Sequence, residues 1–96
     1  MSGIKLSVCI PTYNRAAFIE NALSRFETHY RFDFPYEIVI SDNASTDNTA
    51  EVVEAFSAKG LPIRYHRRAT NGGSLANTVS AFHHAVGTYA IYHADD

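Results

Sequence analysis

Ninety-six residues make one small domain, and 46% apolar with 19% charged residues is the composition of a folded chain rather than a disordered tail. Eight Lys and Arg against ten Asp and Glu give a net charge of −2, which removes the electrostatic case for general nucleic-acid binding. A single cysteine, Cys9, excludes an intrachain disulfide framework and fits a reducing compartment. No apolar run approaches the roughly 18 residues of a membrane span.

The first apolar run, Ile4 to Ile10, is rich in β-branched residues and predicts a strand ended by Pro11. Asn14 stands where a helix N-cap would, ahead of Phe18, Ile19, Ala22, Leu23 and Phe26 at helical spacing. A looser aromatic stretch, 29–35, leads into a second strand, Tyr36 to Ile40. The cluster Ser41 to Thr49 is full of turn and capping residues and precedes a helix marked by Val52, Val53 and Phe56. Gly60 closes that helix, and 61–66 form a short third strand. Asn71-Gly72-Gly73-Ser74 opens a third helix with an apolar stripe of Leu75, Val79, Phe82 and Val86, stopped by Gly87. Thr88 to Tyr92 is a fourth strand running into His93-Ala94-Asp95-Asp96.

The order βαβαβαβ predicts an α/β fold: a parallel sheet with helices on both faces and right-handed crossovers. Every conspicuous polar cluster then follows a strand, at the sheet edge where open α/β folds bind ligands. Neither a Gly-x-Gly-x-x-Gly fingerprint nor a phosphate-cradling P-loop occurs. Helix capping explains Ser45 to Asp47, whereas Asp42, directly beyond an apolar run, suits a hydrogen bond to a base or ribose. Asp95 and Asp96 suit a hard cation such as Mg²⁺ or Mn²⁺ shared with phosphate oxygens, against the alternative of a solvated acidic end. Gly72 and Gly73 read as turn residues, and Arg67 and Arg68 as candidates for base stacking or phosphate contact. His83 and His84 are adjacent and point apart around a helix, a poor metal pair. Cys9 reads as a packing residue.

Four segments in register carry a resemblance. Leu6 to Arg15, Tyr36 to Thr49, Asn71 to Asn77 and Gly87 to Asp96 resemble the first strand, signature loop, third helix and acidic motif of the family 2 glycosyltransferases. That resemblance covers nearly the whole chain. It implies a Rossmann-like GT-A fold, with residues 1–96 as the N-terminal nucleotide-sugar-binding part of a larger domain. It further implies that Pro11, Thr12 and Tyr13 line the nucleobase pocket and that Asp42 bonds the base, with Arg68 a further base contact. Asp95 would approach the ribose and Asp96 the metal, Mg²⁺ or Mn²⁺, unless the two share these roles. Two departures stand out: a loop often Asp-Asp-Gly-Ser reads Asp42-Asn43-Ala44-Ser45, and His93 replaces the usual first Asp of the acidic motif.

The expected function is inverting transfer of a sugar from a nucleotide-diphosphate donor to a hydroxyl of a glycan or lipid-linked acceptor, in cell-surface polysaccharide biosynthesis. The alternative is a non-catalytic nucleotide-binding or interaction module. No residue of the chain suits the catalytic base, which would lie beyond Asp96; the stop there reads as a cut, leaving a fragment inactive alone. The expected location is cytoplasmic, with membrane association through other parts of the protein left open. An uncovered fourth strand invites pairing with another chain, so a homo-oligomer is expected.

Overall fold

Parallel pairing of the two most apolar strands organises the molecule. The computed structural model describes residues 3–96 and contains β1 (Leu6–Thr12), α1 (Ala16–Thr28), β2 (Tyr36–Asp42), α2 (Thr49–Ala58), β3 (Ile63–Arg67), α3 (Ser74–His84) and β4 (Tyr89–Tyr92). All neighbouring strands are parallel, in the order β3-β2-β1-β4. The register sets Val8 beside Ile38 and Thr12 beside Asp42. β1 and β2 are therefore central, and their carboxyl ends lie side by side.

Strand side chains alternate between faces, and the two faces differ in chemistry. One carries Val8, Ile10, Ile38 and Ile40, buried against Ile19, Leu23 and Phe26 of α1 and Val53 and Phe56 of α2. The other holds a small apolar cluster of Cys9, Val39 and Ala81. Around it lie the buried polar side chains of Ser7, Glu37, Ser41 and Asn77. The third helix thus covers a largely polar face.

That polarity reverses the orientation expected for α3. Its buried residues are Asn77 and Ala81, one turn apart, while Leu75 is 77% exposed, and Val79, Phe82 and Val86 also face outward. Asn77 donates from Nδ2 to the carbonyls of Thr12 (3.2 Å) and Ser41 (2.9 Å), and its Oδ1 accepts from the Ser41 hydroxyl (2.7 Å). A leucine there would remove all three bonds and leave the buried Ser41 hydroxyl without its acceptor, at a cost of about 1–3 kcal/mol, while the Thr12 carbonyl would keep the Asn43 amide at 3.0 Å.

Two strand ends also differ from expectation. β1 runs through Pro11 to Thr12, and β2 continues past Ile40 to Asp42. Asn14 does not cap α1; Arg15 is the capping residue, and Asn14 adopts a left-handed φ of 50°. The Asn14 Oδ1 instead accepts from the Thr46 amide at 2.7 Å, tying the first loop to the second. Asp47 returns the tie: Oδ2 accepts from the Ala16 amide (3.1 Å), and Oδ1 from the Thr49 amide and hydroxyl (3.1 and 2.6 Å). One carboxylate thereby serves the first turns of two helices.

Glu37 crosslinks the polar face. It accepts from the Ser7 hydroxyl (2.6 Å), the Val86 amide (2.9 Å) and Arg64 Nη1 (2.9 Å). The Ser7 oxygen also accepts from the Gly87 amide at 2.8 Å, and a Cβ on Gly87 would stand 2.7 Å from that oxygen, so this turn requires glycine. Burial pushes the Glu37 pKa up, but the bonds from Ser7, Val86 and Arg64 outweigh it and hold the pKa below its ordinary 4.5. A carboxylate with a depressed folded-state pKa stabilises the fold above its unfolded pKa, and that contribution fades as pH falls through the folded value. Glu37→Gln is therefore expected to flatten the fall in stability below pH 4.5, measured by urea unfolding at successive pH values. An identical pH slope for variant and wild type would contradict this role.

Candidate functional site

A cleft of about 420 Å³ opens at the carboxyl ends of β1, β2 and β4. Pro11, Thr12 and Tyr13 form one wall as β1 gives way to its loop, and Tyr92 lines it at the end of β4. Asn43, Asn71, Gly73 and Asn77 line the α3 side, and Arg15 reaches it from the start of α1. The structure brings Pro11, Thr12 and Tyr13 together along this cleft. Asn77 donates to the Thr12 carbonyl of this wall and to the Ser41 carbonyl of the neighbouring strand.

Asp42 and Arg68 are placed differently. Asp42 is wholly buried and does not line the cleft. One of its oxygens accepts from the Ser45 amide (3.0 Å) and hydroxyl (2.5 Å), and the other from the Tyr65 hydroxyl. Burial first, then the bond to Asp42, pushes the Tyr65 pKa well up, so the phenol stays protonated and donates. Asp42 is the last residue of β2, and alternation turns its side chain toward the β3 tyrosine. The next residue, Asn43, faces the cleft. Arg68 also lies outside the lining; its guanidinium packs under Gly72, where a Cβ would approach Nη2 to 2.9 Å.

Asn43 organises the loop ahead of α3. Its Nδ2 donates to Asn71 Oδ1 (2.7 Å) and the Gly73 carbonyl (3.2 Å), and its Oδ1 accepts from the Gly72 amide (3.1 Å). Asn71 Oδ1 accepts in turn from the Gly73 amide at 2.9 Å, and Gly73 takes a φ of 95° that favours glycine. A polar residue immediately after a signature strand-end aspartate was the signal available for Asn43.

The acidic pair sits beside the β1 wall. Asp95 is nearly buried and accepts from the Thr12 hydroxyl at 2.9 Å. Arg15 Nε lies 3.0 Å from the same Asp95 oxygen, and Arg15 Nη2 lies 3.4 Å from an Asp96 carboxylate oxygen. Arg25 donates to the Asp96 backbone carbonyl at 3.1 Å. His93 turns away into an aromatic cluster, 5.4 Å from Phe26 between ring centres, with Nδ1 2.6 Å from the Ala94 carbonyl. Among the described residues no three His, Cys, Asp or Glu side chains converge on one point as a metal site. The donor set therefore fits a cation of the Mg²⁺ or Mn²⁺ type only where phosphate oxygens complete its shell. Cys9 is inert, since burial and then the nearby Glu37 charge push its thiol up to about 11.

Comparison with known proteins gives this geometry a family. The model of "Glycosyl transferase family 2" matches residues 7–96. The abequosyltransferase RfbV of Salmonella typhimurium is 39% identical over 93 residues, covering 95% of this chain and 28% of that protein. Dolichol-phosphate mannosyltransferase of Pyrococcus furiosus is 33% identical over 93 residues, covering 96% and 26%. Among solved structures, S. aureus TarS 1-349 in complex with UDP-GlcNAc superposes with a TM-score of 0.84 at 32% identity, covering 97% of this chain and 27% of that one. The Pyrobaculum calidifontis mannosyltransferase PcManGT, in complex with GDP-Man and Mn²⁺, gives 0.83 at 28% identity, covering 96% and 27%. The chain belongs to glycosyl transferase family 2, and its βαβαβαβ sheet is the GT-A fold of these glycosyltransferases. It spans about a quarter of the length of the relatives named.

Asn43→Ala removes three hydrogen bonds across one loop and is expected to destabilise the chain by about 1–3 kcal/mol. It should also speed amide exchange at Gly72 on the order of tenfold, by loosening the loop locally. Unchanged exchange at Gly72 would show that Asn43 does not hold the loop.

Proposed function

We propose that this chain is the donor-binding part of an inverting glycosyltransferase, holding a nucleoside-diphosphate sugar together with Mg²⁺ or Mn²⁺. The observation that carries the reading is the placement of Asp95 and Asp96 beside the cleft formed by Pro11, Thr12, Tyr13 and Asn43. A base-sized pocket and a phosphate-directed acidic pair thus share one sheet edge. Similar chains solved with UDP-GlcNAc, or with GDP-Man and Mn²⁺, support it.

In this reading the Pro11–Tyr13 wall and Asn43 receive the nucleobase, and Tyr13, 42% exposed, offers a ring face. Asp42 acts from beneath, fixing the Ser45 turn and Tyr65, and Arg68 supports Gly72 behind the cleft. Asp95, held by Thr12, serves the ribose side, and Asp96, whose side chain is the more exposed, serves the cation, with Asp95 sharing that role. A bound divalent cation would neutralise charge developing on the departing diphosphate. The carboxylate base that deprotonates the acceptor hydroxyl is assigned to the length of the relatives that this chain does not span. The acceptor is a glycan or lipid-linked hydroxyl, and the setting is cytoplasmic synthesis of a cell-surface polysaccharide. No helix among the described residues is long and apolar enough to cross a membrane.

Calorimetric titration with UDP, GDP, CDP and dTDP tests the reading. One nucleotide should bind on the order of tenfold tighter with Mn²⁺ than without, and Asp96→Ala should abolish the difference. Absence of binding to all four at millimolar concentration would overturn it in favour of a non-catalytic interaction module.

The β4 edge carries a second proposal. Tyr89 to Tyr92 are all exposed and β4 is an end strand of the sheet, so among the described residues no strand pairs its outer edge, which is open to another copy. The 96-residue chain is expected to self-associate in sedimentation velocity, and Ile91→Lys to return it toward monomer; a wild-type monomer at high concentration would contradict this.

A further inference from the structure

Two neighbouring carboxylates beside a polar cleft repel each other unless a positive charge stands between them. Arg15 supplies that charge here, with Nε 3.0 Å from Asp95 and Nη2 3.4 Å from Asp96. The pairing is close but poorly directed. Arg15 Nε is buried and makes no aligned hydrogen bond, and the Asp95 oxygen it faces already accepts from Thr12. The guanidinium also lies 4.1 Å from the Phe18 ring centre, a flat surface on which a planar cation can shift while staying at the cleft it lines. Arg25 reaches only the Asp96 backbone, so it neither duplicates nor replaces Arg15 at the carboxylates.

We propose that Arg15 is an exchangeable counter-ion: it neutralises Asp95 and Asp96 until a divalent cation arrives, then turns its fork to the donor's diphosphate. The inference rests on the donor-binding reading above. A cation placed between the same carboxylates repels the guanidinium, and the anion entering with it is the nearest new partner of opposite charge. Guanidinium and diphosphate match in two parallel N–H···O bonds, which the Asp95 contact does not achieve. The exchange keeps the acids from repelling before the ligand enters, and discourages cation binding without nucleotide. No covalent step is involved.

The experiment separates two affinities in the protein at its full natural length, comparing wild type, Arg15→Gln and Arg15→Lys. Mn²⁺ alone is titrated by electron paramagnetic resonance of the free ion, and UDP, GDP, CDP and dTDP at saturating Mn²⁺ by calorimetry. Removing the internal competitor should make Arg15→Gln bind Mn²⁺ alone about threefold tighter, the scale of an exposed ion pair. The same variant should bind the nucleoside diphosphate on the order of tenfold more weakly, since a charge-assisted pair is lost. Arg15→Lys, which keeps the charge and folding context, should bind Mn²⁺ like wild type yet still lose nucleotide affinity. Opposed shifts of this kind do not arise from a merely structural role, which would lower both affinities together. Unchanged or weaker Mn²⁺ binding by Arg15→Gln, or unchanged nucleotide binding by both variants, overturns the proposal. Failure of wild type to bind any of the four nucleotides overturns the donor-binding reading instead, and the Mn²⁺ arm still reads the competition.

Discussion

Asn77 joins the two central strands at the end that matters. The Thr12 carbonyl already accepts from the Asn43 amide at 3.0 Å, so a donor from α3 adds a second bond that ties the strand ends to the helix. One side chain from α3 donates to both Thr12 and Ser41 and accepts from the Ser41 hydroxyl. A buried amide that bonds three polar groups in a water-poor setting is costly to replace, because a partner left orphaned, such as the Ser41 hydroxyl, keeps its desolvation penalty. Everything on the cleft's α3 side is positioned from this joint: the helix start, the Gly73 turn and Asn43. The fixed β1 end in turn presents Thr12 to Asp95.

The two layers divide labour accordingly. The α1 and α2 face supplies apolar burial through Ile10, Ile38, Ile40 and Leu23. The α3 face gives up much of that burial for directed bonds among Ser7, Glu37, Arg64, Ser41 and Asn77. Such bonds contribute less net stability per residue than apolar packing, but they fix positions. The loops after β1 and β2 follow the same pattern, with Asn14 and Asp47 each bonding into the other's segment. The loops after β1 and β2 are therefore held from below and from each other.

Much of this was legible in the sequence, and the failures have a common cause. Strand and helix order followed from β-branched runs and turn residues, and the carboxyl-edge placement of Pro11, Thr12, Tyr13 and the acids followed from that order. The orientation of α3 did not, because its apolar stripe of Leu75, Val79, Phe82 and Val86 is exposed while Asn77 and Ala81 are buried. The opposing signal was present: Glu37 and Ser41 alternate with Ile38 and Ile40, so one sheet face needed a polar partner, and Asn77 was it. Asp42 against Asn43 is a question of parity. With β2 ending at Ile40, Asp42 belongs to the loop; with β2 ending at Asp42, it points toward Tyr65 and Asn43 takes the cleft. Asn14 failed differently, since asparagine suits both a helix cap and a left-handed turn. Arg15 is visible only in three dimensions, because its partners lie about eighty residues away.

The central claim is that a cation and a nucleoside diphosphate meet between the β1 wall and the acidic pair. Paramagnetic broadening of backbone amides by Mn²⁺, recorded without nucleotide and with UDP, GDP, CDP or dTDP, is the decisive measurement. The Thr12, Tyr13, Asp95 and Asp96 signals are expected to be lost only when nucleotide is present, with Lys59 and the end of α2 unaffected. Broadening centred elsewhere, or the same broadening with no nucleotide present, would contradict it.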